Sequence, residues 1–348
     1  MLGFVVGVKK GYLVEDGLLD NSEVNLSKKN PETFFFDDPD ASALLSKDSK
    51  NLIVNPEKVN DYGKISHYFK QVNEALPIDG IFIGKFQSHK QLRRSKKIYK
   101  IPVIGNMYKF VDFGIHRVLP KIKYTGRLYF LITKGKKRRL TKTEVLGRLV
   151  RFGFSIESVK EVDNHFYFTA KKVNTGITKD RPSFGPLYKM PRIGQNGKII
   201  HVYKLRTMHP YSEYLQDYVL KHNGYASSGK PANDFRLTSW GKIARKYWLD
   251  ELPQLINVVK GEMKLLGVRP VSRRYFEDIP EHMRSRRLLQ KPGCIPPYVA
   301  LNRANSKNDV LTAEEIYLRL SKGKSAKLDV QLSFLAARNI LFKGKRSA

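Results

Sequence analysis

The longest stretch without a charged side chain in this 348-residue sequence is only eleven residues, Pro292–Asn302, and it contains three prolines. A helix that crosses a bilayer needs about 18–20 consecutive apolar residues. The sequence therefore predicts a protein that can lie on a membrane but does not span it as a simple helix. With 41% hydrophobic side chains, the chain has enough material for two domains of ordinary size.

The large excess of basic side chains indicates that the partners of this chain are anionic. The formal net charge is +32, from 64 lysines and arginines against 32 acidic residues. Such an excess attracts nucleic acid, anionic lipid or phosphorylated substrates. The basic residues are spread along the chain without a known nucleic-acid-binding signature, so no nucleic-acid partner is expected. The single cysteine, Cys294, excludes an intrachain disulfide and a cysteine-based zinc site.

The N-terminal half predicts alternating helices and strands. Helical spacing of apolar residues indicates a helix from Asn55 to Ala75, and a strand and a second helix with a capping box at Thr141–Glu144 follow. Two more strands are expected near 153–170. This order resembles the C-terminal half of a class I methyltransferase domain. The glycine-rich cofactor loop of that fold is absent from the sequence, so we expect residues 1–175 to form a degenerate methyltransferase-like α/β module.

Residues 101–122 carry apolar and aromatic side chains at helical spacing between clusters of cations. A basic, aromatic amphipathic helix is typical of an interfacial membrane anchor, although a helix packed on its own domain fits the same pattern. The run Lys134–Arg139 predicts a solvated basic loop. A polar stretch at 174–183 marks the domain boundary, and the second domain is expected to cover residues 180–348.

The second half contains two patterns of residues that could bind a ligand or take part in a reaction. A predicted strand ends with Lys204 and Arg206, two cations that face the same side. Further on, Asp250 and Glu251 precede an amphipathic pattern that begins at Leu252, so they are expected at a helix N-terminus, where the helix dipole favours ionised carboxylates. Taken singly, such patterns are more typical of solvated strand cations and of helix capping.

The order of the motifs is more specific. YKLRTM, DFRLTSWGKIARKYWLDELPQLINVVKGEMKLLGVRP and KPGCIPPYVALNR together resemble the bacterial sugar transferase family, the monotopic polyprenyl-phosphate phosphoglycosyltransferases. The resemblance covers residues 180–345. It implies an α/β protein with a compact α+β catalytic domain, associated with the cytoplasmic face of the bacterial inner membrane without spanning it. The implied activity is transfer of a sugar phosphate from a UDP-sugar to undecaprenyl phosphate, which begins exopolysaccharide, capsule or O-antigen assembly.

The resemblance also implies roles for individual residues. Asp250 corresponds to the family nucleophile, which attacks the β-phosphate of the donor, expels UMP and forms a covalent phosphosugar intermediate. Glu251 is expected to help hold Mg²⁺. The matching cations are expected to bind the phosphate and nucleotide groups; they are Lys204, Arg245 and Arg269, with Arg206 as a further candidate. Arg236 is expected to organise local structure or the nucleotide pocket.

The sequence departs from the family pattern in places. Val268 replaces a usual proline, and the loop Pro292–Pro297 differs, which leaves the sugar open. Residues 155–183 contain no re-entrant membrane helix, so residues 101–122 are the best substitute for seating the chain on anionic inner-membrane lipid. An inactive scaffold on the same fold and a basic nucleic-acid-binding protein are the alternatives, and the sequence leaves open whether the chain forms a homodimer.

Overall fold

The structure is a computed structural model that describes residues 33–35, 50–121, 123–134, 138–177, 185–224, 231–303, 306–321 and 326–343. These residues fall into two compact units. Unit 1 lies within Met1–Pro182 and Pro210–His222, and unit 2 lies within Ser183–His209 and Asn223–Ala348. The chain thus returns to unit 1 at residues 210–222, a feature that a division of the sequence at one linear boundary does not contain.

Unit 1 is built on a five-stranded sheet in the spatial order β1-β2-β3-β5-β4. The first three strands are parallel, and β5 runs antiparallel to both β3 and β4. The predicted helix from Asn55 begins only at Ile65, because Leu52-Ile53-Val54 form the buried start of a strand. The strands are β1 (Thr33–Phe35), β2 (Leu52–Lys58), β3 (Ile81–Phe86), β4 (Phe154–Val162) and β5 (His165–Lys172).

The helices of unit 1 cover this sheet or extend from it. The capping box at Thr141 is confirmed, since its hydroxyl accepts from the Glu144 backbone N–H and its own N–H donates to the Glu144 carboxylate. Aromatic rings around Phe82 form the buried core, with the Phe168 ring centroid 5.2 Å away. The helices are α1 (Ile65–Ala75), α2 (His89–Ser95), α3 (Ile104–Phe113), α4 (Lys123–Thr133), α5 (Lys142–Arg151) and α6 (Gln216–Asn223).

The predicted interfacial segment 101–122 is not one helix. Helix α3 ends at Phe113, a π-helical turn spans Gly114–Val118, and a 3-10 turn containing Pro120 precedes α4. The prediction of a solvated loop at 134–139 is wrong at its end, because Arg139 lies 2.7 Å from Asp112 and the burial of Arg138 lowers its pKa to about 10. Residues 135–137 lie outside the described residues.

Unit 2 contains two small sheets surrounded by helices. Strands β6 (Leu187–Ile193) and β7 (Ile199–Leu205) form an antiparallel hairpin, and β8 (Lys264–Leu266) pairs in parallel with β9 (Gly293–Ile295). Gly293 has no room for a side chain, because a Cβ there would lie 2.0 Å from the Gly267 nitrogen. The helices are α7 (Ser239–Lys246), α8 (Leu255–Val259), α9 (Arg273–Glu277), α10 (Glu281–Leu288), α11 (Pro297–Ala300), α12 (Lys307–Ser321) and α13 (Ala326–Lys343).

The main core of unit 2 lies where α11, α12 and α13 meet β8. Tyr298 and Tyr317 are its largest fully buried side chains, and Val268 packs in the same cluster. The mixture of helices and sheets in both units confirms the α/β fold class. In the described part of the chain, no helix combines the length and the apolar character needed to cross a bilayer.

Candidate functional site

The carboxylate pair lies beside the end of β7. The backbone N–H of Leu205 donates to the carbonyl of Asp250 at 2.9 Å, which fixes the pair against this strand. Lys204 precedes Leu205, and its ammonium group donates to the Glu251 carboxylate at 2.7 Å. Two segments 47 residues apart in sequence therefore form one charged cluster, and the predicted Lys204 and Glu251 lie in direct contact.

A second cation reaches the same carboxylate from the segment after β8. Arg269 Nη2 lies 3.7 Å from Glu251 Oε1, the atom that also accepts from Lys204. The other end of the guanidinium donates to the Tyr298 hydroxyl at 2.9 Å. Glu251 is therefore held between two cations, and this arrangement keeps positive charge near the neighbouring Asp250.

Arg245 approaches Asp250 from the last turn of α7. Its Nε donates to the Thr207 hydroxyl at 3.0 Å, and its charge acts on the Asp250 carboxylate. Between α7 and the pair, the chain turns through Trp248, which is buried and has a positive φ of 61°. A bulky residue in the left-handed region costs of order 1–3 kcal/mol and persists only where its surroundings over-determine it. This strained turn places Asp250 and Glu251 at the end of β7.

The two carboxylates have opposite pKa shifts. Burial raises the pKa of Asp250 above its ordinary value, and the attraction of Lys204 and Arg245 only partly offsets this effect. Burial also acts to raise the pKa of Glu251, but Lys204 and Arg269 outweigh it, so the net pKa is below the ordinary value. Neighbouring groups whose environments push their pKa values apart commonly divide the chemical roles of a site.

The sequence predicted that the dipole of a helix favours ionisation of Asp250 and Glu251, and the structure corrects this reason. Asp250 lies in a turn, and Glu251 precedes a 3-10 turn at Leu252–Gln254 that leads into α8, a helix of only five residues. Glu251 makes no capping hydrogen bond there. Direct contacts with Lys204 and Arg269 therefore lower the pKa of Glu251, and the dipole of a long helix is not the main cause.

The buried face of α8 is polar, and sequence reasoning missed its contribution. Gln254 donates to Glu251 Oε2 at 2.6 Å, and the fully buried Asn257 donates to the His201 carbonyl and accepts from the Tyr203 N–H. Asn257 therefore ties α8 to β7, the strand that carries Lys204. Two buried amides three residues apart on an otherwise apolar helix are the signal that could have identified them.

A buried ion pair holds the backbone of Arg269 in place. Arg287 Nη2 donates to the Arg269 backbone carbonyl at 2.6 Å, and Arg287 pairs with Glu314 of α12. Both side chains of this pair are almost fully buried. The pair fixes the backbone that carries Arg269, so we assign Arg287 and Glu314 as positioning residues; neither had a distinctive sequence signal.

Two predicted cations lie apart from the cluster. Arg206 directs Nε to the Gly185 carbonyl at 2.9 Å, and its guanidinium lies over the Tyr188 ring. Arg236 is buried and forms an ion pair with Asp234 at 2.8 Å, in keeping with the expected structural role. The structure thus brings together Asp250, Glu251, Lys204, Arg245 and Arg269, and directs Arg206 elsewhere.

The carboxylates of the charged cluster can be compared with the ligands that usually bind magnesium. Among the described residues, no group of three or more His, Cys, Asp or Glu side chains could hold a metal ion by itself. Mg²⁺ is usually held by one or two carboxylates together with substrate phosphates. Asp250 and Glu251 supply two such carboxylates side by side, so the residues present fit a magnesium ion bound mainly through a diphosphate.

Comparisons with known proteins identify relatives of the second half of the chain. Residues 169–343 match the family described as bacterial sugar transferase. The chain is similar to the galactosyl transferase CpsE of Streptococcus agalactiae serotype III (strain NEM316), with 35% identity over 157 residues, 44% of this chain and 32% of that protein. It is also similar to the undecaprenyl-phosphate galactose phosphotransferase of Salmonella typhimurium (strain LT2), with 33% identity over 177 residues, 47% of this chain and 35% of that protein.

The chain spans about a third of the length of these curated relatives. Among solved structures, an S-adenosylmethionine-dependent methyltransferase from Mesorhizobium loti covers 37% of this chain and 64% of its own, with 17% identity and a TM-score of 0.23. That score supports no argument about unit 1, and the methyltransferase-like module stays a prediction. The family match includes every residue of the charged cluster and half of the sequence, and the chain therefore belongs to the bacterial sugar transferase family.

Proposed function

We propose that this protein is a phosphoglycosyltransferase that moves a sugar phosphate from a UDP-sugar to undecaprenyl phosphate. The observation that carries the proposal is the charged cluster, in which Asp250 lies beside a Glu251 carboxylate held by Lys204 and Arg269. A diphosphate donor carries concentrated negative charge, and fixed cations in a half-buried site stabilise such charge better than water does. The names of the relatives, which include sugar and undecaprenyl-phosphate transferases, support the same chemistry.

In the first step, a carboxylate oxygen of Asp250 forms a bond to the β-phosphorus of the donor. The bond between that phosphorus and the bridging oxygen breaks, and UMP leaves with the electron pair. Asp250 suits this role because its side chain makes none of the close ion pairs that hold Glu251, and because burial raises its pKa and leaves its carboxylate weakly solvated. Lys204, Arg245 and Arg269 stabilise the charge on the phosphoryl oxygens.

In the second step, a phosphate oxygen of the lipid bonds to the same phosphorus, and the Asp250 carboxylate is released. The products are the lipid diphosphate sugar and the free enzyme. Covalent catalysis thus divides one displacement into two easier ones. Glu251 is the proposed protein ligand for Mg²⁺, which would neutralise part of the diphosphate charge.

The acceptor is a membrane lipid, so we propose that the chain works at the cytoplasmic face of the inner membrane, where anionic lipid attracts its basic surface. An exposed apolar surface beside the carboxylate pair supports contact with lipid. Helices α7 and α8 and the turn between them expose large apolar side chains: Trp240, Ile243, Tyr247, Leu249, Leu252, Leu255, Ile256 and Val259. A lipid phosphate held at the level of the headgroups could reach Asp250 from this side.

The test is UMP release by the purified chain in detergent, with Mg²⁺, undecaprenyl phosphate and a panel of UDP-sugars. We expect release to require one of the donors and sustained turnover to require the lipid. Asp250→Asn should lower the rate by about 10³-fold or more, because it removes the nucleophile. Asp278→Asn, which changes an exposed carboxylate in the same unit, should behave as the original chain.

The two alternatives make different predictions in the same assay. A scaffold on this fold would bind a donor without releasing UMP, and it would show no difference between Asp250→Asn and Asp278→Asn. A nucleic-acid-binding protein would release no UMP from any donor, with or without added DNA. UMP release from wild type and Asp250→Asn at the same rate would contradict the proposal.

A further inference from the structure

The largest apolar surface of unit 1 faces outward. We define the α3–α4 segment as residues 98–133, which include α3, α4 and the turns between them. Phe110 on α3 is 80% exposed and Leu131 on α4 is 78% exposed. The other large exposed apolar residues of the segment are Ile98, Ile101, Val103, Ile104, Met107, Val111, Phe113, Ile115, Val118, Tyr124, Leu128, Phe130 and Ile132.

Two charged residues of the same segment, Asp112 and Arg117, face inward. Asp112 is buried on α3 and pairs with Arg139 at 2.7 Å, and the buried Arg117 donates to the Glu144 carboxylate at 2.9 Å. This pattern reverses that of a surface helix in water, which buries its apolar face. The ion pairs hold the segment to unit 1 and leave its apolar side chains available for an apolar surrounding.

Cations are concentrated around this apolar surface. From Lys90 to Lys142 the sequence has 17 lysines and arginines and a single acidic residue, Asp112, whose charge Arg139 neutralises. Lys96, Lys97 and Lys134 are among the exposed members. These 53 residues, which include the α3–α4 segment, therefore carry half of the formal net charge of the chain.

We propose that the α3–α4 segment docks unit 1 on an anionic lipid bilayer. The apolar side chains of both helices enter the boundary between headgroups and acyl chains, and the surrounding cations contact anionic headgroups. A second copy of this chain is the poorer occupant, because pairing the same surface with itself would bring two strongly positive surfaces together. The proposal does not depend on the sugar-phosphate chemistry of unit 2, since it concerns residues outside the charged cluster.

The test is flotation of the full chain with vesicles after removal of detergent. We expect binding to vesicles of equal parts phosphatidylcholine and phosphatidylglycerol, and weaker binding to phosphatidylcholine alone. The double variant Phe110→Ser/Leu131→Ser should lower the partition coefficient by at least about tenfold, since it removes two large apolar side chains from the bilayer contact. The matched control is Phe334→Ser on α13, where Phe334 is similarly exposed at 74%.

A charge variant separates the electrostatic contribution. Lys96→Gln/Lys97→Gln should reduce binding to the anionic vesicles and leave binding to phosphatidylcholine unchanged. The proposal is overturned if the double apolar variant floats like the original chain or if Phe334→Ser loses as much binding. It is also overturned if the original chain ignores both vesicles while Phe110→Ser/Leu131→Ser changes its oligomeric state in size-exclusion chromatography, because the surface would then join two copies.

Discussion

Helix α3 in unit 1 and helix α8 in unit 2 share an unusual orientation, because each buries polar residues and exposes apolar ones. Beneath α8 the buried residues are the amides of Gln254 and Asn257, which hold a carboxylate and a strand at the charged cluster. Beneath α3 the buried residue is Asp112, which forms an ion pair with Arg139. The same reversal of amphipathicity therefore organises the charged cluster in one unit and attaches the proposed lipid-docking surface in the other.

The buried Asp112 and the half-buried Asp250 show the difference most clearly. Burial acts to raise the pKa of Asp112, but hydrogen bonds and charge from Arg139 bring it below its ordinary value. For Asp250 the neighbouring cations do not compensate fully, and the pKa is raised. A fully paired carboxylate stabilises the fold, whereas an incompletely paired one remains reactive, and the following predictions test this contrast.

After the loss of the nucleophile in Asp250→Asn, the largest effect is expected from Glu251→Gln. The change keeps the size of the side chain and removes the charge that holds Lys204 and Arg269 together, leaving two half-buried cations without their shared partner. UMP release should fall by roughly 10²–10³-fold, as when a fixed electrostatic contact of a transition state is lost. Steady-state rates with saturating donor measure it, and circular dichroism controls for folding. A loss below threefold would show that the cations hold their positions without Glu251.

Asp112→Asn should act on stability alone. Breaking a buried ion pair by removing one partner costs about 3 kcal/mol, here because the Arg139 charge stays buried. Urea unfolding measures the change, and the activity per folded molecule in detergent should match the original chain. Loss of activity in the folded variant would contradict the separation between the two regions.

Tyr298→Phe should produce a moderate effect at the charged cluster. It removes the hydroxyl that accepts from Arg269 at 2.9 Å and leaves the buried ring in place. A hydrogen bond to a charged group is worth about 1.5–3 kcal/mol, so kcat/KM should fall by roughly ten- to a hundredfold. Because Arg269 is expected to bind phosphate, the donor KM should change as well as kcat. An unchanged kcat/KM would show that Arg287 and Glu314 position Arg269 sufficiently.

The smallest effect concerns stability against pH. Since the pKa of Asp250 is raised in the folded state, its ionisation opposes folding. The penalty is fully present above the folded pKa, declines as the pH falls below it, and is gone below the ordinary value of 3.8. Asp250→Asn should therefore raise Tm slightly at neutral pH.

For Asp112, ionisation favours the folded state, the opposite of its effect at Asp250. Its depressed folded pKa contributes stability above the ordinary value of 3.8, and this stability is lost as the pH falls through the lower folded value. Thermal melts of Asp250→Asn, Asp112→Asn and the original chain across pH 3 to 7 measure both effects. A lower Tm for Asp250→Asn at neutral pH would contradict the raised pKa of Asp250 in the folded state.

Much of unit 2 was predictable because its motifs are local. The strand before Lys204 and the approximate position of the carboxylate pair follow from the spacing of residues along the sequence. The length of α8 and the direction of its apolar residues did not, since periodicity identifies an apolar face but not the side on which it lies. In unit 1, the apolar spacing from Asn55 predicted a helix, but the buried run Leu52–Val54 and its pairing with β3 made residues 52–58 a strand.

The sequence alone determined the family, the residues of the charged cluster, the positive charge and the absence of any long apolar run. The tertiary structure decided that Lys204 and Arg269 share Glu251, that Arg206 points elsewhere, and that Arg287 and Glu314 support the site. It also decided that the apolar sides of α3 and α8 face outward. The physical reason is that motifs specify residue type and local spacing, whereas pKa shifts, ion pairs and exposure depend on contacts between residues distant in sequence.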